Sequence, residues 1–246
     1  MGALLNSLIA VTVASLIALI GVVTLFFTKK SIDRFTSSLI AISTGALLGA
    51  AFFDLIPESV EALNIEQTSI YILAGIIIFF AIEKLLFWYH CHDGKCESHV
   101  PLPYMILFGD IFHTFLDGVI VAAAFIVDTS LGIVTTFAII MHEVPHELSD
   151  FFVLIYGGFS RTKALFANLL VAFAHYVGVF AAFVLAIRSE EAIPFLIPFA
   201  AGGFIYIAVA DLIPELHKDI GIKKAFIQLT LMLLGVVLTS HLVHIL

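Results

Sequence analysis

Two short stretches place ionisable side chains inside apolar sequence. The first is His142-Glu-Val-Pro-His-Glu-Leu-Ser-Asp150, with two imidazoles and three carboxylates. On a helix turning about 100° per residue, His142, His146, Asp150, Glu143 and Glu147 fall in that order within an arc of roughly 140°. The second holds Asp110, His113 and Asp117 within an arc of about 60°, His113 and Asp117 being stacked at i and i+4. Ionised groups are costly in hydrocarbon, so this many on two apolar helices require a shared counter-ion. Imidazole mixed with carboxylate suits a borderline divalent cation: Zn2+ first, with Fe2+, Mn2+ and Cd2+ as alternatives. The competing reading is an accidental polar bundle core. Convergence of His113, Asp117, His142, Glu143 and His146 at one depth weighs against it.

The elements that carry these residues follow from composition. The chain has 246 residues, 61% hydrophobic and 12% charged, and most of its apolar runs exceed the roughly 18 residues that cross a bilayer. Eight spans are expected, near 4–27, 35–56, 69–89, 102–126, 130–156, 161–187, 193–214 and 222–245. The fold class is an all-α integral membrane protein, a single transmembrane domain over 1–246. Its expected partners are the bilayer and the metal, with no nucleic acid. Met1 to Ser7 lacks a basic n-region and no small-residue cleavage site follows, so the first span reads as a retained helix.

Orientation follows from the basic residues. Lys29, Lys30 and Arg34, then Lys84 and Lys95, Arg161 and Lys163, and Lys218, Lys223 and Lys224 all fall in the first, third, fifth and seventh loops, leaving Arg188 alone on the other side. Those loops are therefore expected in the cytoplasm, both termini outside, in a plasma or inner membrane. The outer loops carry Glu58, Glu61, Glu66, Asp128, Glu190 and Glu191, which would concentrate cations at the entrance.

Ala51-Phe-Phe-Asp-Leu-Ile-Pro-Glu-Ser59 recurs as Ala208-Val-Ala-Asp-Leu-Ile-Pro-Glu-Leu216, with Gly45 and Gly202 at matching distances before the shared Asp-Leu-Ile-Pro-Glu. The copies would end on opposite membrane faces, as in an inverted repeat of spans 1–3 and 6–8 around spans 4–5, an arrangement found in transporters. Asp54 and Asp211 are read as symmetric mouth carboxylates. The plainer alternative is that Pro57 and Pro214 stop their helices while Glu58 and Glu215 face water.

Counted from the span ends, His113, Asp117, His142, Glu143, His146, Glu147 and, on span 6, His175 lie near mid-bilayer. His175 alone is open to the reading of a hydrogen-bonded core histidine, and His241 and His244 are read as interfacial. Pro145 removes a hydrogen bond to the Met141 carbonyl, leaving either a packing kink or a further oxygen beside the ligands. The third loop, His90-Cys-His-Asp-Gly-Lys-Cys-Glu-Ser-His99, is dense in soft and borderline ligands and is expected to bind metal as a receiver or sensor, a solvated polar connector being the plainer alternative, without a structural disulfide.

On these residues the chain resembles the ZIP (Zrt/Irt-like, zinc-iron permease) metal transporters, closest to a minimal LIV-1-like microbial member. His113-Thr-Phe-Leu-Asp-Gly118 is similar to the family's His-Asn-x-x-Asp-Gly, and His142 to Asp150 to the His-Glu-x-Pro-His-Glu-x-Gly-Asp of the LIV-1 branch. The resemblance implies a homodimer that lowers metal from outside to cytoplasm, spans 1, 4, 5 and 6 moving against 2, 3, 7 and 8. It implies a binuclear site: His113, His142 and His146 at one metal, Asp117, Glu143 and bridging His146 at the other, with His175 completing the second. Thr114 replaces the family's Asn with a poorer ligand, and Ser149 replaces Gly. Asp110 and Asp150 lie about one or two turns toward the cytoplasm and would receive the ion on exit.

Two rival functions remain at this level. His142-Glu-Val-Pro-His146 fits the His-Glu-x-x-His of an intramembrane zinc metalloprotease, although the Asp-Gly motif precedes it here and follows it in those enzymes. Buried carboxylates and histidines also build proton-linked carriers of other solutes.

Overall fold

The computed structural model describes residues 2–17, 19, 29–90, 102–156, 158–189 and 193–245. The described chain is helical: α1 (Gly2–Ser15), α2 (Lys29–Gly49), a π-helical segment π1 (Ala50–Leu55), α3 (Ile56–Ala62), α4 (Ile65–His90), α5 (Leu102–Val127), α6 (Thr129–Tyr156), α7 (Arg161–Val171), α8 (Ala174–Arg188), α9 (Ile193–Tyr206), a second π segment π2 (Ile207–Leu212), α10 (Ile213–His217) and α11 (Ile222–Ile245). Helices satisfy their own backbone hydrogen bonds, which apolar surroundings demand. Six described stretches are long and apolar enough to cross a membrane: Ser37–Ala62, Ile65–Leu85, Leu107–Val127, Arg161–Arg188, Pro194–His217 and Ile222–His241. The 28-residue α6 matches them in length and carries the carboxylates of the motif.

Three helix pairs organise the packing: α5 against α8, α2 against α11, and α4 against α9, with α6 lying on both α5 and α2. The main core, with Leu47, Leu55, Val121, Val134, Ile139, Ile197 and Phe204 buried, sits between α2, α5, α6 and α9. The outer helices α4 and α11 turn Leu73, Ile77, Phe226 and Leu233 outward, as lipid-facing helices do.

The recurrent motif does not stop its helices, contrary to the plainer expectation for Pro57 and Pro214. Each copy widens into a π segment, and the chain stays helical through the proline to Ala62 and His217. The Ile56 amide reaches back five residues to the Ala51 carbonyl, and the Ile213 amide does the same to Ala208. A proline ring clashes with the carbonyl four residues before it, and the wider turn moves that carbonyl aside. The preceding glycines are also matched. A Cβ at Gly45 would stand 1.9 Å from the Met232 carbonyl oxygen on α11, and one at Gly202 would stand 2.2 Å from that of Ile72 on α4.

Span 6 is not one helix. It breaks at Ala172 and Phe173, where the His175 and Tyr176 amides reach only three residues back, and resumes as α8. Between the end of α10 and the start of α11, Asp219 ties these helices to α2: it accepts from Ser37 at 2.6 Å, Lys224 at 2.5 Å and Gln228 at 3.2 Å.

Candidate metal centre

Helices α5 and α6 pack against each other, and the ionisable side chains of each meet those of the other inside the bundle. The close approach of α8 behind α5 depends on glycine. A Cβ at Gly118 would lie 2.1 Å from the His175 carbonyl oxygen, and one at Gly178 would lie 2.1 Å from that of Phe115. The glycine after Asp117 therefore sets the distance between the helices that carry Asp117 and His175.

His113, Asp117, His142 and Glu143 each bring one ligand atom to a common point, all within 4.8 Å of one another. His113 Nε2 lies 3.1 Å from His142 Nε2, and Asp117 Oδ2 lies 3.2 Å from His142 Nε2 and 3.8 Å from His113 Nε2. Glu143 Oε1 stands 3.7 and 3.8 Å from the two imidazole nitrogens. Tetrahedral zinc with bonds of about 2.0–2.2 Å separates its ligands by about 3.3–3.6 Å, a range these distances bracket. His142 Nδ1 donates to the Ala138 carbonyl at 3.2 Å, which fixes the tautomer and leaves the Nε2 lone pair for the ion. Asp117 Oδ1 and Glu143 Oε1 are buried without a hydrogen-bond donor among the described residues, a costly arrangement that a cation relieves.

A second group lies beside it. His146 Nδ1 stands 3.7 Å from Asp110 Oδ1 and 3.9 Å from Asp150 Oδ2, and the three ligand atoms lie within 4.8 Å of one another. The His146 ring stacks on that of His113, centroids 4.8 Å apart, so the two groups share a wall. Thr114, where the resemblance expects a side-chain amide, turns its hydroxyl to Asp110 Oδ1 at 3.4 Å.

The remaining expected ligands are placed differently. Glu147 accepts a 2.5 Å hydrogen bond from Asn168 Nδ2 on α7 and belongs to neither group. His175 is buried but outside the first group. Ser15 donates to the Ala172 carbonyl at 3.2 Å, so its oxygen accepts from His175 Nδ1 at 3.3 Å, and Nε2 is left buried without a partner among the described residues. The Met141 carbonyl freed by Pro145 is not a spare ligand: Ser43 of α2 donates to it. The two motif aspartates differ in burial, Asp54 being buried and Asp211 exposed. Asp128 caps α6, accepting from the Ser130 and Leu131 amides. His241 is exposed, while the His244 side chain and the loop ligands Cys91 to His99 lie outside the described residues. Sequence reasoning missed Asn168, Ser43 and Ser15, short polar residues in apolar runs that carry no spacing signal.

The model of the family described as ZIP zinc transporter matches residues 1–101 and 89–242. Zinc transporter ZIP13 of Pongo abelii is 32% identical over 217 residues, covering 81% of this chain and 64% of its own length. Zinc transporter zipt-7.2 of Caenorhabditis elegans is 30% identical over 260 residues, 81% of this chain and 56% of that protein. Human zinc transporter ZIP4 is 40% identical over 117 residues, 48% of this chain and 18% of that protein. The chain thus spans under two thirds of the length of the first two. With both polar helices inside the matched residues and six membrane-length apolar stretches among the described residues, α5 being one of them, this multi-pass membrane protein belongs to the ZIP zinc transporter family.

Proposed function

We propose that the chain carries divalent metal cations across the membrane into the cytoplasm, zinc first, with iron, manganese and cadmium as lesser substrates. The observation that carries this reading is the convergence of His113, Asp117, His142 and Glu143 at distances suited to tetrahedral zinc. Cations would gather at the acidic outer loops, bind this group, and pass Asp110 and Asp150 toward the basic cytoplasmic side. A second ion of a binuclear centre would draw on Asp117, Glu143 and His146, with the free Nε2 of His175 beside them and Glu147, held by Asn168 of α7, lending charge from α6.

Eight spans, with both termini outside and an inverted repeat of spans 1–3 and 6–8, complete the reading, in a single domain that pairs as a homodimer in a plasma or inner membrane. The matched π segments, and the pairing of α2 with α11 and of α9 with α4 through Gly45 and Gly202, support the repeat, because spans 2 and 8 correspond to spans 7 and 3. The His/Cys loop would tune flux from the cytoplasmic side. Proteolysis is disfavoured by geometry as well as by family, since His142 and His146 face different groups and do not share one catalytic ion.

Purified protein in liposomes tests the function. Zinc should enter, and iron, manganese and cadmium should compete for entry. A His113→Ala, His142→Ala double variant should fall to the level of empty liposomes, and normal zinc uptake by that variant would remove the site assignment.

A further inference from the structure

We infer that Asp110, His146 and Asp150 form a divalent-cation site of their own, an open release station distinct from the closed group above it. This rests on the transport reading just given and deepens it. Two carboxylates and an imidazole bring their ligand atoms within 4.8 Å of one another at the α5–α6 interface. Like charges this close do not stay ionised without a counter-charge. Asp110 is 97% buried by exposure, and its Oδ2 points to no donor among the described residues. Thr114 donates to Oδ1 at 3.4 Å, which steadies the carboxylate and leaves the other oxygen free for an ion.

The two groups differ in the way a binding site differs from a release site. In the first, side-chain exposures are 17% for His113, 1% for Asp117 and His142 and 2% for Glu143. In the second, Asp110 is 1% exposed, Asp150 11% and His146 36%. Three protein ligands, with His146 at a partly exposed edge, leave coordination positions that water could fill, and water exchange is how an ion leaves. The donor set is also harder, two carboxylates to one imidazole, so it discriminates less for zinc against manganese or iron. Glu147, which would make a fourth and tighter ligand, is held toward α7 by the buried amide of Asn168. His146, stacked on His113, is the shared wall over which an ion is handed from one group to the other.

Counting zinc or cobalt(II) bound to the purified full chain by equilibrium dialysis tests the site. The His113→Ala, His142→Ala variant should keep at least one ion per chain. Adding Asp110→Asn and Asp150→Asn should lower the count by one, while Asp150→Asn alone, at the open edge of the group, should weaken that ion at least about tenfold. With the first group intact, Asp110→Asn, Asp150→Asn should retain tight zinc binding and slow uptake into liposomes. Unchanged ion count and affinity on removing Asp110 and Asp150 would overturn the station. Loss of all bound metal in the His113→Ala, His142→Ala variant would overturn it too. Persistent uptake by that same variant would instead remove the transport site and leave the station standing.

Discussion

The α5–α6 interface and the glycine contacts of α2 with α11 and α4 with α9 hold helices together by opposite means. At Gly45 and Gly202 the backbones touch, no side chain intervenes, and the arrangement leaves no slack. At the α5–α6 interface, polar groups face one another with buried oxygens lacking donors among the described residues, an arrangement that a bound cation would complete. Apolar, backbone-close contacts make a frame; an interface short of positive charge makes a site. Gly118 and Gly178 join the two designs, because they bring α8 and its His175 against the helix that carries Asp117.

The largest effect should come from breaking the frame. Gly45→Val drives a Cβ against the Met232 carbonyl, backbone that cannot move aside, and should cost ~3 kcal/mol or more, read as loss of folded protein on gel filtration. Gly158→Ala is the control: it has open space and a φ of 92°, and should cost only about 1 kcal/mol. Equal behaviour of the two variants would dissolve the distinction between frame and loop.

At the site, changing a ligand should alter function before stability. His142→Glu replaces an imidazole with a harder carboxylate and should lower zinc preference while raising manganese or iron uptake. An unchanged order of competition among the four metals, in active protein, would show that His142 does not set selectivity.

Smaller still is the joint between frame and site. Ser43→Ala leaves the Met141 carbonyl, already deprived of a donor by Pro145, without its partner, and should cost about 1 kcal/mol in thermal unfolding. No shift in Tm would mean that the carbonyl finds another donor.

The least effect is expected at Asp219, whose carboxyl is held below the usual range, chiefly by the hydrogen bond from Lys224 and next by that from Ser37. A depressed carboxyl contributes stability above its ordinary value near about 3.9 and loses it as pH falls through the folded value. Acid should therefore loosen the tie between α2 and α11, and Asp219→Asn should remove that part of the pH dependence. An identical acid limb in the variant would show the tie to be idle.

The site was largely legible because its residues are ionisable and sit in apolar sequence, where helical spacing alone puts them on one face. Spacing on single helices could not divide them. His146 belongs with His142 by angle, yet its ring nitrogen meets Asp110 and Asp150, because the relative placement of α5 and α6 decides which groups meet. The helical stretches were legible from hydropathy, and the break at Ala172 and Phe173 was not, since no glycine or proline marks it. The recurrent Leu-Ile-Pro-Glu was visible as a repeat, but a proline reads equally as a stop or as the exit from a π turn.

X-ray absorption at the zinc edge, on purified protein loaded with one equivalent of zinc, tests the central claim most directly. The account predicts four light scatterers at about 2.0–2.2 Å, two of them imidazoles, with the two-imidazole signature lost in the His113→Ala, His142→Ala variant. A sulfur shell at about 2.3 Å would place the tightest zinc on Cys91 and Cys96, and that result would contradict it.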